Sequence, residues 1–210
     1  DAMLKKILKP TSKRKLMWAS ELFKKYPQIF CSGNFILGFP NESFEEMMDS
    51  YNFARKLDWD WASFYICQPL VGTAMYSIFQ GMGENHDSNK ALNPGRLAQR
   101  GEMGINFDKN DQVLCGRDIF NLPPDTIPCR EQLNEIWFTF NLLGNFLNNR
   151  NYRTNGNVEK LIKWYESIFA GYPHDASMAA ALAKGYRLTH QTKSENFYQK
   201  TFKNILSNSA

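Results

Sequence analysis

Cysteine is scarce in this chain of 210 residues, and its four cysteines lie far apart. They are Cys31, Cys67, Cys115 and Cys129, and no two are closer than 14 residues. This spacing fits neither the short ligand pairs of structural zinc sites nor the dense pairing of disulfide scaffolds. Cys31 and Cys67 fall in apolar, strand-like runs, where a free cysteine acts as a small hydrophobic residue. We therefore expect a reducing, cytoplasmic setting.

Long apolar runs and the common catalytic motifs are absent as well. No stretch approaches the roughly 20 apolar residues of a membrane helix, so no membrane partner is expected. The sequence has no G-x-S-x-G elbow, no Walker loop and no complete G-x-G-x-x-G fingerprint. His86, His174 and His190 are too widely spaced to suggest a metal site. Asp58 and Asp60 favour a solvated turn over a paired-carboxylate acid–base site.

Positive charge is in small excess, with 25 basic and 21 acidic side chains and a net charge of +4. Much of the excess comes from six residues near the start, namely Lys5, Lys6, Lys9, Lys13, Arg14 and Lys15. No aromatic platform is interleaved with them, as single-strand binding would require. The pattern favours the solvated faces of two amphipathic helices, and a nucleic-acid partner is not expected.

The first 80 residues contain a strand, a capped helix and a second strand. The strands are predicted at 33–38 and 62–67. Ser43, followed three residues later by Glu46, forms the capping box that opens the helix between them. Such a unit predicts parallel strands joined by a right-handed crossover.

The remaining chain divides into two parts. Residues 81–129 are rich in Gly, Asn, Asp and Pro and suggest an irregular segment, with at most a short hairpin within 105–114. Residues 130–210 read as helices, with N-caps predicted at Asn157, Asp175 and Ser194. In the last helix, Phe197, Tyr198, Thr201, Phe202 and Ile205 are expected to face inward.

Two stretches of the first part resemble signatures of the radical S-adenosylmethionine (radical SAM) enzymes, in the branch that often carries a cobalamin-binding domain. Residues 34–43 read NFILGFPNES and resemble the G-F-P-G-E-T element that closes the fifth barrel strand. Residues 64–76 read FYICQPLVGTAMY and resemble the P-x-P-G-T-x-x-Y signature of the sixth strand. Upstream, Leu4, Lys9 and Pro10 resemble the L-x-x-x-x-K-P piece that follows the fourth. This sequence departs from the pattern at Asn41, Ser43 and Val71, where the family has glycine, threonine and commonly proline.

The resemblance implies a cofactor and a place for it. In such enzymes a C-x-x-x-C-x-x-C loop holds a 4Fe-4S cluster, whose open iron binds S-adenosylmethionine for reductive cleavage. The fifth and sixth strands cradle the adenine. Carried over by position, the adenine-lining residues are Ile36, Gly38 and Phe39 from the fifth strand and Gln68 and Pro69 from the sixth. Simple core packing is the alternative for Ile36 and Phe39, and helix-terminal charge stabilisation is the favoured role of Glu42.

The cysteine loop of that family is missing from this chain. We therefore expect a C-terminal fragment that is not catalytic alone: residues 1–80 as part of a radical SAM barrel, 81–129 as a substrate-side connection, and 130–210 as a helical region. The expected fold class is α/β, a partial TIM barrel with two parallel strands followed by helices. Its expected partners are the missing N-terminal part, which brings the cluster and, in that branch, cobalamin, and an unidentified substrate. Self-association through open strand edges is also expected.

A different class of function competes with this interpretation. The segment Ala181-Leu182-Ala183-x-x-Tyr186, followed by Tyr198, faintly resembles one tetratricopeptide unit. A single unit cannot bury a continuous core, since about three are needed. The alternative is thus a non-catalytic helical interaction domain with an accidental strand–helix–strand pattern. Parallel, adjacent strands distinguish the first interpretation from the second.

Overall fold

The computed structural model describes residues 2–7, 9–68, 71–81 and 121–208. Two strands and eight α-helices lie in these ranges, together with a π-helical turn (Leu142–Leu147) and a 3-10 turn (Arg150–Tyr152). In chain order the strands and α-helices are α1 (Ala2–Lys6), α2 (Lys13–Lys24), β1 (Ser32–Leu37), α3 (Phe44–Leu57), β2 (Trp61–Ile66), α4 (Ala74–Gly81), α5 (Arg130–Asn141), α6 (Val158–Phe169), α7 (Ala176–Leu188) and α8 (Thr192–Asn208). No described helix is both long enough and apolar enough to span a membrane.

The predicted α/β unit is confirmed. Strands β1 and β2 are parallel and hydrogen-bonded, in a register that runs from Ser32 opposite Trp61 to Leu37 opposite Ile66. Both strands begin and end one residue earlier than the sequence pattern suggested. The capping box is also present, because the Ser43 side chain accepts from the Glu46 N–H and the Glu46 carboxylate accepts from the Ser43 N–H.

One face of the sheet packs on helices α3 and α5. Since side chains alternate along a strand, Phe35 and Leu37 share this face with Phe64 of the neighbouring strand. Aromatic contacts tie the layers together, with Tyr51 stacked on Phe140 at a centroid distance of 4.6 Å. The buried residues of this first core are Leu37, Phe44, Met47, Tyr51, Ala54, Phe64, Ile136 and Phe140.

A second core holds the carboxyl-terminal helices together. Its buried residues are Phe146, Leu161, Ile162, Tyr165, Met178, Ala181, Leu182 and Tyr186. Trp61, the first residue of β2, connects this core to the sheet through edge contacts with Phe146 and Tyr165. The aromatic residues Phe146, Tyr165 and Tyr186 are therefore used in internal packing.

The outer edge of β2 is covered by asparagine side chains rather than by a third strand. Within the parallel pair, the backbone groups of Ala62 and Phe64 point away from β1. Ala62 exchanges two hydrogen bonds with the Asn145 amide, at 2.8 and 2.7 Å. Phe64 does the same with Asn141, at 3.1 Å for both bonds.

The outer edge of β1 lacks such a cover within the described residues. The outward-facing residues are Ser32, Asn34 and Ile36, whose side chains are exposed. No hydrogen bond is found there between their backbone groups and a residue outside the strand pair. Self-association of the chain through open strand edges stays a prediction. Since the outer edge of β2 is covered, the prediction now concerns only the outer edge of β1.

The carboxyl-terminal helices follow the predicted caps, with one exception. Asn157 and Asp175 cap α6 and α7 through their side chains. Helix α8 instead begins at Thr192, two residues before the predicted Ser194 cap. Phe197, predicted to face inward, is 61% exposed, while Tyr198 is stacked on Tyr186. The predicted hairpin within 105–114 lies outside the described residues.

Candidate functional site

The carboxyl ends of the two strands meet at one end of the sheet. The Cys67 N–H donates to the Leu37 carbonyl at 2.7 Å, which aligns the residues that follow β1 with those that follow β2. The adenine-lining candidates Ile36, Gly38, Phe39 and Gln68 therefore lie at this same end. Pro69, the fifth candidate, lies outside the described residues.

The side chain of Ile36 is exposed and could contact a ligand, whereas that of Phe39 is partly buried. Ile36 is 39% exposed and stands beside Tyr65 in the register, on the face that the helices α3 and α5 do not cover. Ile36 belongs to neither of the two cores formed by the described residues. Phe39 and Gln68 are half-buried at the same end. Together these side chains offer an apolar surface and one amide.

Gly38 is explained by the backbone and by its neighbour on α5. Its φ is +77°, in the left-handed region where a Cβ is unfavourable. A Cβ built on Gly38 would lie 2.5 Å from Leu133 Cδ2. The glycine thus allows the tight turn after β1 and the close approach of α5, and it needs no ligand to account for it.

Glu42 organises the loop that follows β1. Its carboxylate accepts from the Gly38 N–H at 2.6 Å and from the Phe39 N–H at 3.0 Å, and the residue is 1% exposed. This function goes beyond the charge stabilisation that was expected of Glu42 at the helix terminus. Because both amides are occupied, a ligand at this end would meet side chains rather than these two donors.

The cysteines near the sheet are held as neutral thiols. Burial, followed by the negative charge of Glu42, raises the pKa of Cys67 to about 11. Burial, followed by the charge of Asp60, raises the pKa of Cys31 to about 11. Thiolates are the form that binds metals and attacks electrophiles, so neither residue is suited to these roles near neutral pH. Among the described residues, no group of three or more His, Cys, Asp or Glu side chains could hold a metal ion.

The opposite end of the sheet is built around Asp60. One of its carboxylate oxygens accepts from Lys160 Nζ and from the Cys31 N–H, both at 2.8 Å. The other accepts from Asn151 Nδ2 at 2.8 Å, and Arg150 Nε lies 3.8 Å away. Asp60 is 1% exposed, so the predicted solvated turn is wrong for this residue. Partners from far along the chain bury it, and they join the helical region to the start of β2.

Comparisons with known proteins give one short similarity. No protein-family model matches the chain, and no solved structure matches it. Over 44 residues the chain is 48% identical to an uncharacterized methyltransferase of Pyrococcus horikoshii. The matched residues make up 21% of this chain and 10% of that protein. The chain therefore spans about a tenth of the relative that it matches, and over that stretch it is similar to a protein named as a methyltransferase.

Proposed function

We propose that this chain is the carboxyl-terminal part of a radical SAM enzyme of the methyltransferase type, in which it forms the adenine-side wall of the S-adenosylmethionine pocket. The observation that carries the proposal is the parallel pairing of β1 with β2, at the two stretches that resemble the fifth and sixth barrel strands. The 44-residue similarity to a methyltransferase supports the reaction class.

The two edges of the sheet support this assignment of the strands. The sixth strand is the last one of the family's partial barrel, and β2 has its outer edge covered by Asn141 and Asn145. The fifth strand has a neighbour on its other side, and β1 has an outer edge open to one within the described residues. An isolated parallel pair with one sealed and one open edge fits the end of a larger sheet.

The residues at the carboxyl end of the sheet fit an adenine ring. Such a ring requires an apolar contact on its face and polar partners at its edge. Ile36 supplies exposed apolar surface, and Gln68 supplies an amide that can donate and accept. Glu42 fixes the backbone between them by accepting from Gly38 and Phe39.

The iron–sulfur cluster does not fit this chain. The sequence lacks the cysteine triad, and Cys31 and Cys67 are neutral thiols at neutral pH. Cluster ligands would thus belong to another part of the parent enzyme, and no residue here is assigned to cobalamin. In that enzyme, bound S-adenosylmethionine is the source of the transferred or reactive group. The residues of this chain bind and orient its adenine.

A binding experiment on the parent enzyme tests the proposal. Replacing Ile36 with alanine should weaken S-adenosylmethionine binding about tenfold, since burying an aliphatic side chain contributes about 1.5–3 kcal/mol. Ile29 is 45% exposed, lies before β1, and gives the matched control Ile29→Ala, which should change the dissociation constant less than about twofold. Iron content should be unaltered in both. Equal dissociation constants for the two variants would refute the adenine-side role.

The DNA sequence upstream of Asp1 in the source genome tests whether this chain is part of a longer radical SAM enzyme. We expect a C-x-x-x-C-x-x-C motif roughly 100 to 150 residues before Asp1 in the same reading frame, as the size of the barrel implies. A start codon directly before Asp1, without such a motif, would contradict the proposed enzyme. The helical interaction domain would then become the interpretation to pursue.

A further inference from the structure

A crevice opens near the amino-terminal ends of the strands, at the opposite end of the sheet from the proposed adenine wall. It lies between the second half of α3, the start of β2, and the segment from the π-helical turn to the 3-10 turn. It takes in about 380 Å³ of space with open solvent included, of which about 30 Å³ can hold the centre of a water molecule. Gly144 lines the crevice without a side chain. A Cβ there would make ordinary contacts with the rings of Tyr51 and Phe64, at 3.8 and 3.9 Å.

Arginine dominates the charge of this crevice. Arg55, Arg150 and Arg153 line it together with a single carboxylate, that of Asp58. Three positive charges against one leave the lining with a net charge of +2. Asp60 does not line the crevice, but it pairs with Lys160 at 2.8 Å and with Arg150, whose Nε lies 3.8 Å away. Counting Lys160 and Asp60 together leaves the net charge at +2. The fold therefore brings an excess of guanidinium groups to one small concave surface.

The fold uses only part of the donor capacity of these side chains. Arg153 donates one Nη1 hydrogen bond to Asp58 at 3.1 Å. Arg150 donates to the Asp58 backbone carbonyl, and its Nε forms an ion pair with Asp60 at 3.8 Å. Arg55 has a ring contact with Tyr51 at 5.9 Å and forms no ion pair within the described residues. Each guanidinium has five N–H donors. Several donors on each side of the crevice are thus left for a ligand.

One wall of the crevice contains a buried donor as well. Trp59 lines it, and its indole Nε1 is buried without a hydrogen-bond partner among the described residues. Buried donors are nearly always paired in folded proteins, so this N–H is a candidate partner for an acceptor bound in the crevice. The benzene side of the indole faces Gly33, where a Cβ would lie 2.4 Å from Trp59 Cζ3.

We infer that this crevice binds a phosphate group, either as free phosphate or as the terminal phosphate of a larger molecule. Guanidinium forks match the geometry of phosphate oxygens and form charge-assisted hydrogen bonds with them. A dianion balances the lining charge of +2, whereas a carboxylate balances half of it. The aromatic floor and the neighbouring Trp59 lower the local dielectric and strengthen these bonds. This site is independent of the adenine wall.

The test titrates the 210-residue chain with inorganic phosphate at constant ionic strength, and follows the indole N–H signals by NMR. The Trp59 signal, assigned with Trp59→Phe, should shift saturably, while that of Trp164 in the second core should not move. Glycerol phosphate is the second probe: tighter binding than inorganic phosphate indicates a phosphate ester, and weaker binding indicates the free ion. Either result supports the site.

Two matched variants on α3 distinguish specific phosphate binding in the crevice from a general attraction of the anion to positive charge. Arg55→Gln should weaken phosphate binding about tenfold, as expected for the loss of a charge-assisted hydrogen bond. Lys56 is exposed on the same helix, does not line the crevice, and gives Lys56→Gln as the control, with a change below about twofold. Equal effects of the two variants, the absence of saturation, or an equal response to chloride would each overturn the inference.

Discussion

Asn145 and Ala62, 83 residues apart, form a closed pair in which a side-chain amide satisfies both backbone groups of a strand residue. Asn141 forms the same arrangement with Phe64. The asparagines are four residues apart on the helix, and their partners are two apart on the strand, facing the same edge. Side chains of a helix thus replace the backbone of an additional strand at this edge.

Replacing Asn145 with alanine should lower the free energy of unfolding by about 2 to 4 kcal/mol. The change leaves the half-buried N–H and carbonyl of Ala62 unpaired, and each unpaired group costs about 1–3 kcal/mol where water does not replace the lost partner. Urea denaturation measures the loss, and hydrogen exchange at the Ala62 amide should accelerate. Asn148 is exposed and lies three residues away, so Asn148→Ala is the control and should cost less than about 0.5 kcal/mol. Similar values for both variants would contradict the role of the pair.

Lys160→Met should destabilise the fold by about 3 kcal/mol. The three hydrogen bonds of Lys160 Nζ go to Asp60 and to the carbonyls of Pro27 and Ile29, so its loss leaves a buried carboxylate without its closest cation. The exposed pair of Arg153 and Asp58 supplies the comparison, and Arg153→Met should cost less than about 1 kcal/mol. Denaturation at low and high salt checks both, because only the exposed pair should be screened strongly.

Gly38→Ala should be more destabilising than Gly72→Ala, and the difference isolates the contact with Leu133. Both glycines have positive φ, +77° and +83°, so each variant incurs a similar backbone strain of about 1 kcal/mol. A Cβ at Gly72 meets no atom within 4 Å, whereas one at Gly38 meets Leu133 Cδ2 at 2.5 Å. Thermal unfolding measures the difference. Adding Leu133→Ala to Gly38→Ala should reduce the cost of the glycine substitution, and a purely additive result would show that the contact is irrelevant.

Alkylation of Cys31 and Cys67 should remain slow up to pH 9 and accelerate as the pH approaches 11. The pKa of each thiol is raised from an ordinary value of 9.0 to about 11, so the reactive thiolate is sparse below that range. Mass spectrometry of iodoacetamide-treated protein gives the rate at each site, with the exposed Cys129 as the reference.

The same two thiols affect stability at alkaline pH. A raised pKa in the folded state means that the fold favours the protonated thiol, so this contribution is complete below pH 9 and is lost as the pH rises toward 11. The variant Glu42→Gln should lower the pKa of Cys67 in part, because burial is the larger cause and the charge of Glu42 the smaller. The pKa of Cys31 should not change. An unaltered Cys67 profile in a folded variant would show that Glu42 has no electrostatic effect there.

Local signals explain most of what could be predicted about the fold. The capping box at Ser43 and Glu46, and the caps at Asn157 and Asp175, involve residues within three positions of each other. The Ser194 cap was wrong because helix α8 begins a little earlier, at Thr192, where the tight turn after α7 ends. The inward side of that helix was misjudged at Phe197 for a related reason, since the phase of a terminal helix depends on what it packs against.

The candidate site was only partly accessible to prediction. The pattern brought Ile36, Gly38, Phe39 and Gln68 to one end of a sheet, because the carboxyl ends of parallel strands lie together. It did not reveal that Gly38 is required by Leu133 of a distant helix, nor that Glu42 occupies the two amides of the loop. The contact with Leu133 joins residues 95 positions apart, and the role of Glu42 depends on how the loop after β1 folds back on its carboxylate.

The sequence by itself determined the strand–helix–strand unit, its parallel strands and the positions of most helix ends. Hydrophobic periodicity and helix capping involve residues only a few positions apart, so both can be recognised directly in the sequence. Tertiary structure alone decided which strand edge is sealed, that Asp60 is buried among cations and amides, and that three arginines meet in one crevice. The burial of a polar group is favourable only when its partners are already in place. Asn145 and Lys160 acquire their structural roles only once the chain has folded, because their partners Ala62 and Asp60 lie far away in the sequence.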